Sequence, residues 1–204
     1  MKDQRVLFTI GHSTRELNDF IFLLQENEVE VVADVRSSPY SRHMPHFNRE
    51  NLKAALKQVD IQYVFLGEEL GARRDEAECY VDGVAKYELI AQTNLYREGI
   101  RRIQNGVTQY RVALMCAEKD PLTCHRTVLI AKSLKQEFDI QHIVSGTEMI
   151  SQARLEERML VQWNMTRADF FHDETAQLEE AYRRQGESIA YSIPQEDAEA
   201  EPND

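Results

Sequence analysis

The sequence predicts an α/β fold: an open, mostly parallel five-stranded sheet with helices on both faces, a Rossmann-like layering, followed by a C-terminal helical extension. Three observations carry this. Short apolar segments alternate with stretches that place apolar residues at helical spacing, and strands separated by helices run parallel with right-handed crossovers. Some strands are continuously apolar, as at Val31-Val32-Ala33, which suits a sheet covered on both faces. Five strands are also too few for an eight-stranded barrel.

Val6 to Ile10 reads as the first strand, closed by Gly11. Ser13-Thr14-Arg15-Glu16 has the form of a capping box, with Ser13 capping and Glu16 reaching back. Leu17, Phe20, Ile21 and Leu24 follow at helical spacing. Residues 29–35 form the second strand. A basic loop comes next, punctuated by Pro39 and Pro45, and Asn48 caps a helix carrying Leu52, Ala55, Leu56 and Val59. Residues 61–66 form the third strand, and 72–83 read as a charged, irregular excursion. One long helix is predicted over 85–103, ending before Asn105-Gly106. Residues 111–115 form the fourth strand. Asp120 caps the next helix, with Pro121 at its first position. Residues 140–144 form the fifth strand.

The pattern changes after Gly146. Two helices are predicted over 147–163 and 166–185, with a short edge strand over 188–193. The organisation read from this is an α/β core over 1–146, a helical extension over 147–194 packed on it, and an acidic tail over 195–204. That tail offers almost no apolar surface and is expected to be disordered and dispensable for folding.

The net charge of −11 is uneven. Residues 173–204 carry −8 and the rest of the chain −3, so the overall sign says little about the substrate. Residues 36–49 hold Arg36, Arg42, Arg49, His43 and His46 without an acid, which reads either as a solvated loop or as an anion-binding one. No apolar run reaches about 18 residues, and Arg5 is followed only by Val6-Leu7-Phe8 before polarity returns. A cytoplasmic chain without membrane contact is expected. Cys79, Cys116 and Cys124 make an odd count, which argues against a disulfide framework.

Open parallel sheets bind ligands beyond the carboxyl ends of their strands. That places His12 after the first strand, Asp34 and Arg36 at the second, Glu68 and Glu69 after the third, and Cys116 and Glu118 after the fourth. Cys124, His125 and Arg126 fall in the first turns of the helix predicted from Asp120, where free N–H groups and the dipole favour an anion and lower a thiol pKa. The alternative for Cys116 and Cys124 is that of small buried packing residues. His12 is a candidate base, or a loop-orienting group. Asp34, on an apolar strand, needs a partner, and Arg36 is the natural one. Tyr63, Tyr80, Tyr87 and Tyr96 read as packing residues. Cys116 and Cys124 lack the tight spacing of structural zinc, so no metal ligands are assigned, although His12 or Asp34 could complete a site in space. No Cys-x5-Arg loop or phosphate-binding glycine loop is present, and no cofactor is indicated.

At these motifs the sequence resembles the domain-of-unknown-function 488 family. The matching residues are Thr9-Ile10-Gly11-His12-Ser13, Asp34-Val35-Arg36 with Pro39 and Ser41, Pro45 with Phe47, Tyr63 with Leu66 to Gly71, and Met115-Cys116-Ala117-Glu118 through Cys124-His125-Arg126. Glu68 stands where the family often has a glycine, and residues 147–193 look like a tail that many members carry. The resemblance implies a compact α/β domain with a Cys/His-containing pocket, and it carries no substrate.

The leading expectation is an enzyme acting on an anionic, phosphate-bearing or nucleotide-like small molecule. Arg36, Arg42, Glu69, His125 and Arg126 would bind it, guanidinium forks matching phosphate. Cys116 or Cys124 would supply a thiolate, and His12, Asp34 or Glu118 would move protons. Two other readings stand beside it. One is a nucleic-acid-binding module using residues 36–49, against which the acidic charge weighs. The other is a metal-dependent hydrolase or redox protein with Cys/His ligands.

Overall fold

A computed structural model describes residues 5–146, 148–165 and 173–194. Its main sheet has six strands in the order β3-β2-β6-β1-β7-β8. These are β1 (Val6–Gly11), β2 (Val31–Asp34), β3 (Gln62–Phe65), β6 (Val112–Cys116), β7 (Asp139–Ile143) and β8 (Met149–Ser151); β4 (Tyr80–Val81) and β5 (Val84–Ala85) form a separate hairpin. The pairs β1–β6, β1–β7, β2–β6 and β2–β3 are parallel, and β7–β8 is antiparallel.

The predicted parallel strands are all present, and β8 is the addition. It lies where a helix was expected over 147–163. A turn closed by Val144 N–H on Glu148 O returns the chain, and Met149-Ile150-Ser151 pairs with β7. The helical spacing of Leu155, Met159 and Leu160 belongs to α7 (Gln152–Gln162), which Ser151 caps by accepting Arg154 N–H.

Period-two alternation divides the core. On one face Phe8, Ile10, Val32, Ala113 and Met115 pack against Phe20, Leu23 and Leu24 of α1 (Leu17–Glu26) and Leu52 and Leu56 of α2 (Arg49–Lys57). On the other, Leu7, Val31, Ala33, Val112, Leu114 and Cys116 pack with the remaining helices, α7 and α8 (Glu174–Ile189) included. Between them, α3 (Gly67–Leu70) and the pair α4 (Tyr87–Ile90) and α5 (Asn94–Val107) complete that second layer.

Several local expectations fail for identifiable reasons. Ser13 caps nothing: it sits at φ 50°, and α1 starts at Leu17. Residues 12 and 13 instead extend the β1 ladder, His12 N–H bonding Cys116 O and Ser13 N–H bonding Ala117 O. The helix expected over 85–103 is two helices, because Thr93 caps α5 by accepting Tyr96 N–H. Asn105-Gly106 does not stop α5, which runs to Val107. The excursion of 72–83 contains a hairpin turn at Asp82-Gly83, both at positive φ, the pairing that a two-residue hairpin demands. Residues 188–193 are not a strand: α8 runs to Ile189, and only an isolated bridge joins Ser192 to Val84. The acidic tail of 195–204 and the start of the helix expected over 166–185 lie outside the described residues. Among the described residues no helix is long and apolar enough to cross a membrane.

The strand order positions the site. β6 lies between β2 and β1 yet follows both in the chain. The helices after β1 and β2 cover one face, whereas the helix after β6 covers the other. Neighbouring connections therefore diverge at the C-terminal end of β6, and a crevice opens there.

Candidate functional site

That crevice is a cavity of about 400 Å³. Its floor is Cys116, Ala117, Glu118 and His125, from the end of β6 and the helix that follows. Arg36, Ser37, Ser38 and Tyr40, after β2, make one wall. Ala72, Arg73, Tyr87, Ile189 and Tyr191 make the other, so the segment after α8 contributes to it.

The floor is built by an interrupted helix. Asp120 caps a short 3-10 turn, Pro121–Thr123, by accepting Leu122 N–H. Cys124 then breaks the run with extended backbone, φ −134° and ψ 138°. Its carbonyl accepts from Thr127 and Val128, and its Sγ lies 3.5 Å from Arg126 N. Cys124 is thus the N-cap of the second helical piece rather than a residue inside one helix from Asp120. That piece opens as a π-helical stretch, Arg126–Ala131, before α6 (Lys132–Leu134); such wide turns are rare and cluster at functional sites.

Two sulfurs and one imidazole meet here. The Sγ atoms of Cys116 and Cys124 and a ring nitrogen of His125 lie within 4.8 Å of one another. His125 Nδ1 is 3.7 Å from Cys116 Sγ and 3.9 Å from Cys124 Sγ. Its Nε2 lies 3.0 Å from Val35 O, an acceptor only, so Nε2 carries the proton and Nδ1 turns to the sulfurs. Cys116 also donates to Glu118 Oε2 at 3.0 Å. Burial opposes a thiolate at Cys124, but the Cys116 thiol, the Arg126 charge and His125 outweigh it and hold Cys124 well below the ordinary thiol range. Cys116 is pushed well above that range, by its hydrogen bond to Cys124 and then by burial. Burial works to lower His125, yet its bond to Cys124 raises it overall. The Glu118 carboxyl is raised by burial and then by the Cys124 charge.

The wall is organised around Arg36. Its Nε and Nη2 grip Asp34 at 2.9 and 2.6 Å, Nη2 also reaches Phe47 O at 2.8 Å, and Nη1 lies 3.2 Å from His12 Nε2. Four of the five guanidinium N–H groups are thereby used, and one on Nη1 remains for the cavity. Asp34 additionally accepts from Tyr63 OH at 2.7 Å and from Arg36 N–H. His12 gives its Nδ1 proton to Ser13 O and offers Nε2 to Arg36. Burial and the Arg36 charge hold its pKa down to about 4, so the ring is neutral, and it stacks on Phe47 at 4.3 Å.

Of the expected residues, the fold brings Arg36, Cys116, Glu118 and His125 to the cavity surface, with Cys124 directly beneath. Others stand elsewhere. Asp34 is fully buried with its oxygens occupied, and His12 has its Nε2 on Arg36, so both are engaged with the Arg36 guanidinium. Arg126 is fully buried too and outside the cavity lining: its guanidinium clasps the carbonyls of Glu118 and Lys119 and Thr9 Oγ1. Glu69 faces α5 and pairs with Arg102. Arg42 is exposed, outside the cavity lining. Arg49 lies over the Phe65 ring at 4.5 Å. Sequence reasoning missed Ser37, Ser38 and Tyr40, which directly follow Arg36 and were findable on that ground. It also took Tyr87 for packing alone and passed over Arg73 and Tyr191, which both line the cavity, with the guanidinium 4.7 Å from the ring.

A family model described as "Domain of unknown function DUF488" matches residues 16–132, more than half of the chain. No curated protein matches, and no solved structure does.

Proposed function

The chain belongs to the DUF488 family, and on that footing we propose that it is an enzyme acting on an anionic small molecule, one bearing a phosphate-like or nucleotide-like group, in the cavity at the end of β6. One observation carries the reading. Arg36 is held rigid by Asp34, His12 and Phe47 O, with a single N–H left for a cavity whose floor is Cys116, Glu118 and His125. A guanidinium oriented this firmly loses little entropy on gripping an anion. Ser37, Ser38 and Arg73 extend the polar wall, and Tyr87 and Tyr191 give flat surfaces against which a planar group can lie. Glu118, next to the Cys116 sulfur on the floor, is the group placed to carry a proton to or from a bound substrate. Cys116 is the sulfur that lines the cavity, and Cys124, beneath it, is the one whose surroundings favour the thiolate.

Protection against alkylation tests this. Iodoacetamide labelling is followed residue by residue by mass spectrometry, with and without inorganic phosphate or adenosine monophosphate. Either anion should slow labelling of the Cys116/Cys124 pair while Cys79, buried away from the cavity lining, is unaffected. Equal rates at both Cys116 and Cys124 at saturating anion would remove the anion-binding reading. A turnover screen over phosphate esters and nucleotides then assigns the reaction.

A further inference from the structure

We propose that Cys116, Cys124 and His125 bind one divalent metal ion of the zinc class at the cavity floor, through Sγ, Sγ and Nδ1, with the fourth position facing Glu118 and the cavity. This deepens the reading of the cavity as an active site. The residue that completes the donor set is the adjacent His125; His12 and Asp34, considered from sequence, are both engaged on Arg36.

Four features converge. The first is distance. Zinc–sulfur bonds of about 2.3 Å and zinc–nitrogen bonds of about 2.0 Å in a tetrahedron set donors roughly 3.5–3.8 Å apart. The two S···N separations, 3.7 and 3.9 Å, are already close to that, and all three donor atoms lie within 4.8 Å of one another. The second is the imidazole. Metal-bound histidines usually give their other N–H to a carbonyl or carboxylate, which fixes the ring and its tautomer. His125 does this through Nε2 on Val35 O, leaving the Nδ1 lone pair aimed at the sulfurs. The third is charge. Two thiolates on a dication form a neutral set, and the surroundings supply further stabilisation for sulfur: Arg126 N–H points to Cys124 Sγ, with the buried Arg126 side chain beside it. The fourth is mounting. Cys116 ends a central strand, and Cys124 and His125 cap and open a helix, so the donors sit on rigid elements.

Three protein ligands and an open position are the arrangement of catalytic rather than structural zinc. Glu118 Oε2, 3.0 Å from Cys116 Sγ, is poised either to fill that position or to act on a water there. A substrate anion entering past Arg36 would meet the metal on its way to the floor. Soft thiolate and imidazole donors favour zinc, cobalt or iron(II) over magnesium or calcium.

The test uses the full chain without a histidine tag. Purified protein is stripped, reconstituted with zinc(II) or cobalt(II), and assayed by elemental analysis and absorption. One metal per chain is expected, with thiolate-to-cobalt charge transfer and the visible bands of a tetrahedral site. Cys116→Ser and Cys124→Ser should each abolish stoichiometric binding and the charge-transfer band, and Cys79→Ser should keep both; circular dichroism verifies that each variant is folded. Absence of the cobalt bands in the wild-type protein overturns the proposal. So does stoichiometric binding that survives in either folded Cys116 or Cys124 variant, and so does a spectrum without thiolate ligands. Should a variant not fold, loss of iodoacetamide labelling at both Cys116 and Cys124 on adding zinc to wild-type protein decides, unchanged labelling counting against. Anion protection measured in metal-free protein is independent of this result, so either reading can fail without the other.

Discussion

Asp34 satisfies so many donors that neutralising it should damage the fold before it damages any chemistry. Its carboxylate holds two guanidinium nitrogens and a phenol, all away from water. Asp34→Asn leaves Arg36 as a buried, uncompensated cation, which costs about 3–5 kcal/mol. Tyr63→Phe removes one hydrogen bond and should cost only about 1 kcal/mol. Urea unfolding measures both; an Asp34→Asn variant as stable as wild type would contradict this. His142, like His12, contributes to the pH dependence of stability. It is fully buried, accepts from Thr9 Oγ1 at Nδ1, donates to Gln152 from Nε2, and burial followed by the Arg126 charge lowers its pKa to about 3. Folding therefore excludes a proton that the unfolded chain takes up below pH about 6.5. Stability from this residue is complete above that pH and declines as pH falls towards 3, by about 1.4 kcal/mol per pH unit. Between pH 6 and 4, His142→Gln should show a stability slope shallower than wild type by about that amount. Parallel slopes would mean that His142 takes its proton inside the fold. The two residues also mark what was legible. A carboxylate on an apolar strand announces a partner, whereas nothing around His142 in the chain says that it meets Thr9 and Gln152.

At the scale of elements, the contact between the end of β1 and the loop after β6 is the tightest feature of the site. A Cβ on Gly11 would stand 1.8 Å from Glu118 O and 3.2 Å from Arg126 Nη2. Gly11→Ala must therefore displace the backbone that carries Glu118, at a cost of about 3 kcal/mol or more. Gly83 is the contrast: a Cβ there meets nothing within 4 Å, and only its φ of 73° resists, so Gly83→Ala should cost about 1 kcal/mol. Thermal unfolding that ranks Gly83→Ala as the worse of the two would contradict this view of the site's framing. Elements announced themselves unevenly for related reasons. Val31 to Asp34 and Val112 to Cys116 are apolar runs that only a doubly covered strand explains, and they were readable. Asp82-Gly83 was readable as a hairpin from its turn chemistry and was overlooked. Cys124 was not readable as a helix cap. Asp120-Pro121 is the stronger local start signal, and the 3-10 turn it begins ends within one turn because Cys124 takes extended backbone.

At the scale of the molecule, the extension after β7 is tied both to the core and to the cavity. A buried chain of hydrogen bonds runs from Arg126 to Thr9, His142, Gln152, Tyr182 and Glu156, linking the clasp under the site to α7 and α8. Gln185 donates to Leu122 O, which braces the turn before Cys124. Beyond α8, Ala85 N–H bonds Tyr191 O and Ile193 N–H bonds Gly83 O, and these bonds hold Tyr191 over the cavity. No local pattern in residues 174–193 announces this, because the partners are supplied by the first half of the chain. Two truncations separate the consequences. A chain ending at Pro194 keeps every contact named here and should melt within about 2 °C of the full chain. A chain ending at Met165 loses the burial of Ala181 and Tyr182 and the bonds of Gln185. Burying one large side chain is worth about 1.5–3 kcal/mol, and each kcal/mol moves the melting temperature of a chain this size by about 2–4 °C, so a drop of roughly 10 °C follows. That shorter chain also lacks the Ile189–Tyr191 wall, so the Cys116/Cys124 pair in the metal-free protein should be alkylated faster, and phosphate should protect it less. The Pro194 chain should match wild type in both rates. If the Met165 chain keeps wild-type stability and wild-type labelling of Cys116 and Cys124, α8 is an appendage, and the cavity has to be redrawn without Ile189 and Tyr191 in its wall.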